Sequence, residues 1–233
     1  MIISHKYKFI FVKTRKTAGS SLQTYFCRHC GDSDIITPID KPEGSYKAQN
    51  YSGFFNPVPR MKEQYPSTRK MLRTMWRFLS FKKFNSHIMA AHIMRRIPKD
   101  IWDGYYKFSV DRNPWDKVLS HYHFVRQRYS EFNEDITFDE YLEKAELPYN
   151  YEIYTDKNKE LLVDRVIKYE NLDEELGDIF GRLGVPYEGS LDVYEKSHYR
   201  EKKKNFQESY TENQKKLVAD KFEFEINLHG YNF

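Results

Sequence analysis

The stretch FIFVKTRKTAGSSL, residues 9–22, joins a short apolar run to a small, polar and basic segment. The apolar run predicts a buried strand, because four consecutive apolar residues suit a strand covered on both faces. Leu22, Tyr25 and Phe26 then recur at helical spacing, which predicts a helix that begins near Ser20. The stretch therefore reads as strand, loop and helix, with small residues in the loop that let the backbone approach a ligand closely.

The predicted loop has the composition of an anion-binding site. A helix N-terminus presents unpaired N–H groups and the positive end of the helix dipole, and here Lys13, Lys16 and several hydroxyls accompany it. A simpler alternative is that Ser20 or Ser21 only caps the helix. The loop does not match the G-x-x-x-x-G-K-[ST] pattern of nucleotide triphosphate loops, since its first glycine is missing and Lys16 precedes Gly19.

A second segment, YKFSVDRNPWDKVLSHY at residues 106–122, repeats the order of strand, turn and helix. Pro114 is placed to open the helix, so that Arg112 lies at the carboxyl end of the strand and Ser120 two turns into the helix. Ligands of α/β sheets collect at that end of the strands, and a guanidinium binds phosphate in a bidentate fork. The alternative is that Arg112 forms a structural salt bridge.

The loop resembles a motif of the sulfotransferases that use 3′-phosphoadenosine 5′-phosphosulfate, particularly the carbohydrate-acting branch of the family 2 type. Residues 16–21, KTAGSS, are similar to that family's Pro-Lys-Thr-Ala-Gly-Thr-Ser loop, with Arg15 in place of the usual proline. The eight-residue spacing of Arg112 and Ser120 resembles the family's second motif. The resemblance spans most of the chain and is least informative over residues 38–84.

The resemblance implies roles for individual residues. Lys16 would contact the transferring group, and Arg112 and Ser120 would bind the 3′-phosphate of the cofactor. The family carries a histidine about twenty residues before its second motif, which makes His92 the predicted general base and His87 the reserve candidate. The 5′-phosphosulfate would be held by the loop residues Arg15, Thr17, Ala18, Gly19, Ser20 and Ser21.

The fold implied is a single three-layer α/β domain over residues 1–233, similar to the P-loop nucleotide-binding fold, with a mostly parallel central sheet. The activity implied is sulfuryl transfer from 3′-phosphoadenosine 5′-phosphosulfate to a hydroxyl, expected on a saccharide, with adenosine 3′,5′-bisphosphate as product. No metal is expected, because no His/Cys/Asp cluster has ligand spacing. Two alternatives are an ATP-dependent phosphotransferase of the same fold and a non-catalytic module that binds anionic glycans or a membrane surface.

Residues 38–84 form the region in which we expect an acceptor-side element. A proline-rich, aromatic loop precedes a predicted helix over 67–84 that carries a basic stripe at Arg69, Arg73 and Arg77. The stripe is either a solvated face or a surface for an anionic glycan or a membrane. The predicted packing face of this helix consists of Met71, Leu72, Met75, Trp76 and Leu79.

Composition bounds the remaining expectations. An aromatic content of 17% favours a folded chain, and a formal charge of +4 is modest, so no nucleic-acid partner is expected. No apolar run is long enough to span a bilayer and no secretion signal opens the sequence, which predicts a cytoplasmic protein with reduced thiols at Cys27 and Cys30.

Two further segments each allow two interpretations. Residues 149–154 suit either a sugar site or packing, and the basic run at 196–204 is either a lid or a solvated charge run.

Overall fold

The computed structural model describes residues 1–40, 46–57, 68–128, 136–191 and 205–233, with the side chains of residues 69, 70 and 128 left out. The basic run predicted at 196–204 therefore lies outside the described residues. So do Arg60 and Lys62, two basic residues that precede the predicted helix.

A five-stranded sheet forms the centre of the molecule, with the spatial order β3-β1-β2-β4-β5. β2 pairs in parallel with β4, and β4 with β5, whereas β1 is antiparallel to both β2 and β3. Four of the five strands therefore run in one direction, which confirms the prediction of a mostly parallel sheet. The strands are β1 (Ile2–Ser4), β2 (Phe9–Val12), β3 (Ile35–Ile36), β4 (Tyr106–Asp111) and β5 (Arg165–Lys168).

Ten α-helices are described between and beyond these strands. α1 follows β2 directly and α5 follows β4, as the two sequence segments predict, and α5 begins at the expected proline. A 3₁₀ turn at Tyr169–Asn171 leads from β5 into α8, and a second at Phe206–Ser209 precedes α9. The helices are α1 (Gly19–Cys27), α2 (Thr68–Leu79), α3 (Ala90–Met94), α4 (Lys99–Gly104), α5 (Pro114–Arg128), α6 (Phe138–Lys144), α7 (Tyr151–Tyr154), α8 (Leu172–Leu183), α9 (Glu212–Lys221) and α10 (Glu223–His229).

Helices cover both faces of the sheet, which confirms the three-layer architecture. Successive side chains of β2 point to opposite faces, so that Phe9 and Phe11 enter a core with Phe26 of α1 and Phe180 of α8. Ile10 and Val12 enter a second core that contains side chains of α3, α4 and α7. Burial on both sides explains why β2 is apolar throughout.

A third core joins α5 to the C-terminal part of the chain. Val118 of α5 packs there with Tyr141 of α6, with Val218 of α9 and with Phe222 between α9 and α10. This packing fixes α5 beside the carboxyl ends of β2 and β4, where the two sequence motifs meet. Within the described ranges, no helix is both long and apolar enough to cross a membrane.

Two details of the predicted helices are wrong. The apolar face of α2 does not pack: Leu72 and Leu79 are each 67% exposed and Trp76 is 55% exposed, whereas Thr74 is the residue turned inward. The sequence also predicts a single final helix from Thr211 to about Phe224, but the structure has two, because the backbone of Phe222 leaves the helical region between α9 and α10.

Smaller side-chain expectations can also be compared with the structure. Tyr154 is fully buried in the second core and Tyr149 packs on Phe222, so the aromatic segment at 149–154 serves packing. Cys27 and Cys30 are free thiols, and burial raises the pKa of Cys30.

Candidate functional site

A cavity of about 400 Å³ opens where β2 and β4 end and α1 and α5 begin. Its volume lies within the range usual for small-ligand sites. Both sequence motifs contribute to its wall, although about ninety residues separate them. The wall consists of Lys13, Thr14, Arg15, Lys16, Thr17, Ala18, Gly19, Ser20, Ser21, His87, Arg112, Ser120, His121, Phe124 and Tyr169.

The loop between β2 and α1 has the backbone conformation of an anion-binding nest. Lys16 and Ala18 adopt left-handed φ angles of 61° and 54°, with Thr17 between them outside that region. Alternation of this kind turns successive N–H groups toward one side of the chain. Left-handed conformations cost non-glycine residues about 1–2 kcal/mol each, so the surrounding contacts must hold the loop in place.

The start of α1 presents its N–H groups to the cavity. Its N-cap is Ala18, which has no side chain to cap the helix, and the first turn contains no acidic residue. The hydroxyl of Ser20 does not act as a cap and instead accepts a hydrogen bond from Lys13 Nζ at 3.1 Å. The simpler expectation of a capping serine therefore does not describe this helix, and its positive end is open to an anion.

Lys13, which the sequence placed with Lys16 beside the helix N-terminus, is a cationic residue of the cavity wall. It is only 3% exposed, and its Nζ also donates to Gln23 Oε1 at 3.1 Å. Its aliphatic stem crosses Gly19 so closely that a Cβ atom at Gly19 would lie 2.8 Å from Lys13 Cγ. Glycine is thus required at position 19 by packing, and Lys13 places a second positive charge beside that of Lys16.

Arg112 forms a structural salt bridge and also lines the cavity. Its Nε and Nη2 atoms donate to Asp116 Oδ2 at 2.9 and 2.5 Å, which is the structural salt bridge named as the alternative. Its Nη1 donates to the carbonyl of Lys16 at 3.2 Å, and the guanidinium lies 4.5 Å from the ring centre of Tyr169. The hydrogen bonds to Asp116 and Lys16 use three of the five N–H groups of the guanidinium and hold it rigidly. The other two N–H groups can donate to a ligand.

The cavity wall includes two histidines, neither of them the predicted base. His87 Nδ1 lies 3.2 Å from the carbonyl oxygen of Lys13, and His121 Nδ1 lies 2.6 Å from the hydroxyl of Tyr141. His92 is a buried residue of α3 and does not line the cavity. The geometry therefore favours His87, the reserve candidate, for contact with a ligand.

Desolvation and nearby cations lower the pKa of both wall histidines. Although the His87 residue is exposed as a whole, desolvation of its ring at the cavity lowers its pKa below the ordinary histidine value, and the charge of Lys13 lowers the pKa further. Burial lowers the pKa of His121 to about 4, with further lowering by Lys16 and Arg15. Each is a neutral imidazole at pH 7, so it can accept a proton.

A buried polar network beneath the cavity holds the loop. Asn150 accepts a hydrogen bond from the backbone N–H of Arg15 at 2.9 Å and donates to its carbonyl at 3.1 Å. The same amide donates to Asp111 Oδ1 at 2.9 Å, which also accepts from Lys117 Nζ at 2.9 Å. Lys117 donates in addition to Glu225 of α10. Where the resembling motif has proline, this chain fixes Arg15 through Asn150.

Opposite charges in this network shift one another's pKa values. Burial by itself would lower the pKa of Lys117, but Asp111 and Glu225 reverse the effect and raise it. Burial raises the pKa of Glu225, and Lys117 opposes that rise. The three groups lie on β4, α5 and α10, far apart in sequence. No local pattern indicated that they would meet.

The structure thus brings nearly all the predicted site residues together. Arg15 to Ser21, Arg112 and Ser120 share one cavity wall, and His92 lies apart from it. Lys16 Nζ lies 4.6 Å from the ring centre of Phe124, a wall residue that the sequence analysis did not name. Across the described residues, no group of three or more His, Cys, Asp or Glu side chains is arranged to hold a metal ion.

Comparison with known proteins places the chain in a family. It belongs to the same family as an uncharacterized protein from Archaeoglobus fulgidus, with 37% identity over 109 residues that make up 45% of this chain and 87% of that protein. No protein-family model matches the chain. The crystal structure of a sulfotransferase from Alicyclobacillus acidocaldarius is similar with a TM-score of 0.41 and 17% identity over 96% of each chain. At that score the likeness does not bear on activity, which has to be argued from the site.

Proposed function

We propose that this protein is a sulfotransferase that uses 3′-phosphoadenosine 5′-phosphosulfate and transfers the sulfuryl group to a hydroxyl of an acceptor. The supporting observation is that the loop at 13–21 and the pair Arg112 and Ser120 line one cavity. These are the two segments whose sequences resemble the cofactor motifs of that family. The saccharide nature of the acceptor rests on the resemblance alone.

The residues of the cavity fit an anionic donor with two phosphate-type groups. The nest at 16–18 and the open end of α1 supply N–H donors, and Lys13 and Lys16 supply positive charge. Arg112 and Ser120, on the α5 side of the cavity, would hold the 3′-phosphate. When bound, the donor supplies an activated sulfuryl group whose bond to the 5′-phosphate breaks as the acceptor oxygen bonds to sulfur.

In the proposed reaction, residues of this chain stabilise developing negative charge and accept a proton. Lys16 and the loop amides would stabilise the negative charge that grows on the departing phosphate, and donors of this kind are worth about 3–4 kcal/mol each in other enzymes. His87 would take the proton of the acceptor hydroxyl. A bound anion offsets the charge of Lys13 that lowers the pKa of His87, so donor binding makes this histidine a better base.

Ligand-induced stabilisation tests the donor class. We expect adenosine 3′,5′-bisphosphate to raise the melting temperature of the protein more than ADP or ATP with magnesium does. At about 100 times its dissociation constant a ligand adds about 2.7 kcal/mol of stability. Lys16→Ala should remove the effect, and Lys144→Ala, which changes an exposed lysine far from the loop in sequence, should retain it. A preference for ATP with magnesium would instead support the phosphotransferase alternative.

A histidine pair tests the assignment of the base. His87→Gln should abolish sulfuryl transfer from 3′-phosphoadenosine 5′-phosphosulfate to a saccharide mixture while it retains binding of the bisphosphate. His92→Gln, the matched change outside the cavity, should keep activity. Circular dichroism verifies that both variants are folded. The reverse result would return the role of base to His92.

A further inference from the structure

We propose that helix α2 and the turn after it form a docking surface for a membrane that contains anionic lipid. We call this surface the α2 patch. It combines exposed apolar side chains with flanking positive charge. The inference does not depend on the proposed sulfotransferase activity. The apolar members of the patch are Phe54, Met71, Leu72, Met75, Trp76, Leu79 and Phe81.

The exposed apolar residues of the chain concentrate in this patch. Of ten large apolar side chains that are clearly exposed among the described residues, seven belong to it, and the other three are Met94, Leu161 and Leu228. Leu72, Trp76 and Leu79 follow the i, i+4, i+7 spacing of one helix face. A contiguous apolar surface of this kind marks an interaction site more often than scattered single residues do.

The inner side of α2 is fixed to the domain, so its apolar face cannot simply turn inward. Thr74 is buried, and Phe78 contacts the rings of Phe54 and Phe55 at centroid distances of 6.0 and 6.1 Å. The turn after the helix is tied to the same loop by a backbone hydrogen bond from Gly53 to Phe81 at 2.6 Å. The helix therefore has three sides: one packed, one apolar and exposed, and one basic.

The sequence of α2 and its flanks is strongly basic. Residues 64–99 contain no aspartate or glutamate but nine basic residues: Arg69, Lys70, Arg73, Arg77, Lys82, Lys83, Arg95, Arg96 and Lys99. Arg73 is exposed, and Lys82 Nζ lies 4.3 Å from the ring centre of Trp76. Basic side chains beside exposed Trp, Phe and Leu side chains are typical of helices that lie in the interface of an anionic bilayer.

This combination favours a lipid surface over other occupants. A second copy of the chain docked through the same patch would bring two basic helices together, which like-charge repulsion opposes. An anionic glycan or a nucleic acid would satisfy the charges but would leave Leu72, Leu79 and Trp76 exposed to water. A bilayer of phosphatidylglycerol-type lipid complements both features, with headgroups for the charges and acyl chains for the apolar face.

Vesicle co-sedimentation of the full chain tests the proposal, with vesicles of phosphatidylcholine alone and of phosphatidylcholine mixed with phosphatidylglycerol. We expect binding to the anionic vesicles at least about tenfold stronger at low salt, and weaker binding as salt is raised. Leu72→Ser with Trp76→Ser should reduce binding to anionic vesicles about tenfold or more. Leu161→Ser with Leu228→Ser, which changes two exposed leucines outside the patch, is the matched control and should leave binding unchanged.

A charge variant tests the basic part of the α2 patch separately from its apolar part. Arg73→Gln with Lys82→Gln should lower binding about fivefold for each charge removed, and high salt should erase this difference. Equal binding to neutral and anionic vesicles, or equal losses in the patch variant and the leucine control, would overturn the proposal. A dimer that becomes a monomer in the variant with Leu72→Ser and Trp76→Ser would also overturn it. So would binding of RNA or heparin that depends on Leu72 and Trp76, if the protein does not bind vesicles. Circular dichroism and melting curves establish that all variants are folded.

Discussion

The cavity and the α2 patch are both rich in positively charged side chains, but these side chains are held by hydrogen bonds in the cavity and are exposed in the patch. In the cavity, Lys13 is 3% exposed and bonded on two sides, and the guanidinium of Arg112 is held by Asp116 and by the carbonyl of Lys16. In the α2 patch, Arg73 is exposed beside apolar residues that are themselves exposed. One region has fixed donors around a cavity, and the other has exposed charge on an open surface.

This difference predicts different kinds of recognition. Fixed, partly desolvated donors select an anion by shape and position, because their geometry is established before the ligand arrives. Exposed charges attract any anionic surface, and salt screens them over about 8–10 Å. We therefore expect the cavity to discriminate among nucleotides. Binding by the α2 patch should depend instead on the charge density of the partner surface and on how much apolar material that surface offers. The following changes test this contrast, from the largest expected effect to the smallest.

Lys117→Ala should destabilise the protein by about 3–5 kcal/mol, because it leaves the buried carboxylates of Asp111 and Glu225 without their shared cation. Urea unfolding at pH 7 measures the loss. Lys82→Ala in the α2 patch is the matched change and should alter stability by no more than about 0.5 kcal/mol. Similar losses in the two variants would erase the distinction between buried and exposed cations.

His121 should make stability depend on pH. The folded protein keeps this histidine neutral down to a pKa of about 4, whereas the unfolded chain takes up its proton near pH 6.5. Its contribution is therefore present at pH 7 and is lost as the pH falls through this window. We expect His121→Gln to remove about 2 kcal/mol of the stability difference between pH 7 and pH 5, measured by urea unfolding at each pH.

A second histidine provides the control for this measurement. His5 Nδ1 lies 2.9 Å from the hydroxyl of Tyr105, so His5→Gln removes a comparable histidine–tyrosine contact away from the cavity. An unchanged pH dependence in His121→Gln would show that this histidine is not held neutral by the cavity.

Gly19→Ala should cost about 1–2 kcal/mol of stability, since the new Cβ would meet Lys13 Cγ at 2.8 Å in a buried site. The same substitution at Gly181 of α8 meets nothing within 4 Å and should stabilise the protein by about 0.5–1 kcal/mol. Urea unfolding of both variants gives opposite signs if the stem of Lys13 is packed as described. Matching signs would contradict that packing.

Leu72→Ala should change stability by less than about 0.5 kcal/mol, because Leu72 is 67% exposed. Leu22→Ala in α1 removes a fully buried side chain and should cost about 2–5 kcal/mol. Unfolding in urea distinguishes the two outcomes. A large loss at Leu72 would mean that the face predicted from sequence to pack does so after all, and would remove the basis of the α2 patch.

Much of the fold was predictable because its signals are local. The apolar run of β2, the proline that opens α5 and the helical spacing after Ser20 are properties of adjacent residues, and the structure has each of them. The face of α2 was mispredicted for a physical reason: spacing shows that apolar residues share a side, but it carries no information about whether the domain covers that side. The same limit applies to His92, whose distance from the second motif in sequence says nothing of where α3 points it.

The sequence by itself determined the strand–loop–helix segments and the chemistry each one offers, since conformational preference and charge belong to neighbouring residues. Only the tertiary structure decided which distant groups meet. It set His87 rather than His92 on the cavity wall, joined Lys117 to Asp111 and Glu225, and placed Asn150 against Arg15. Those contacts depend on how helices pack on the sheet, and that packing is a property of the whole core.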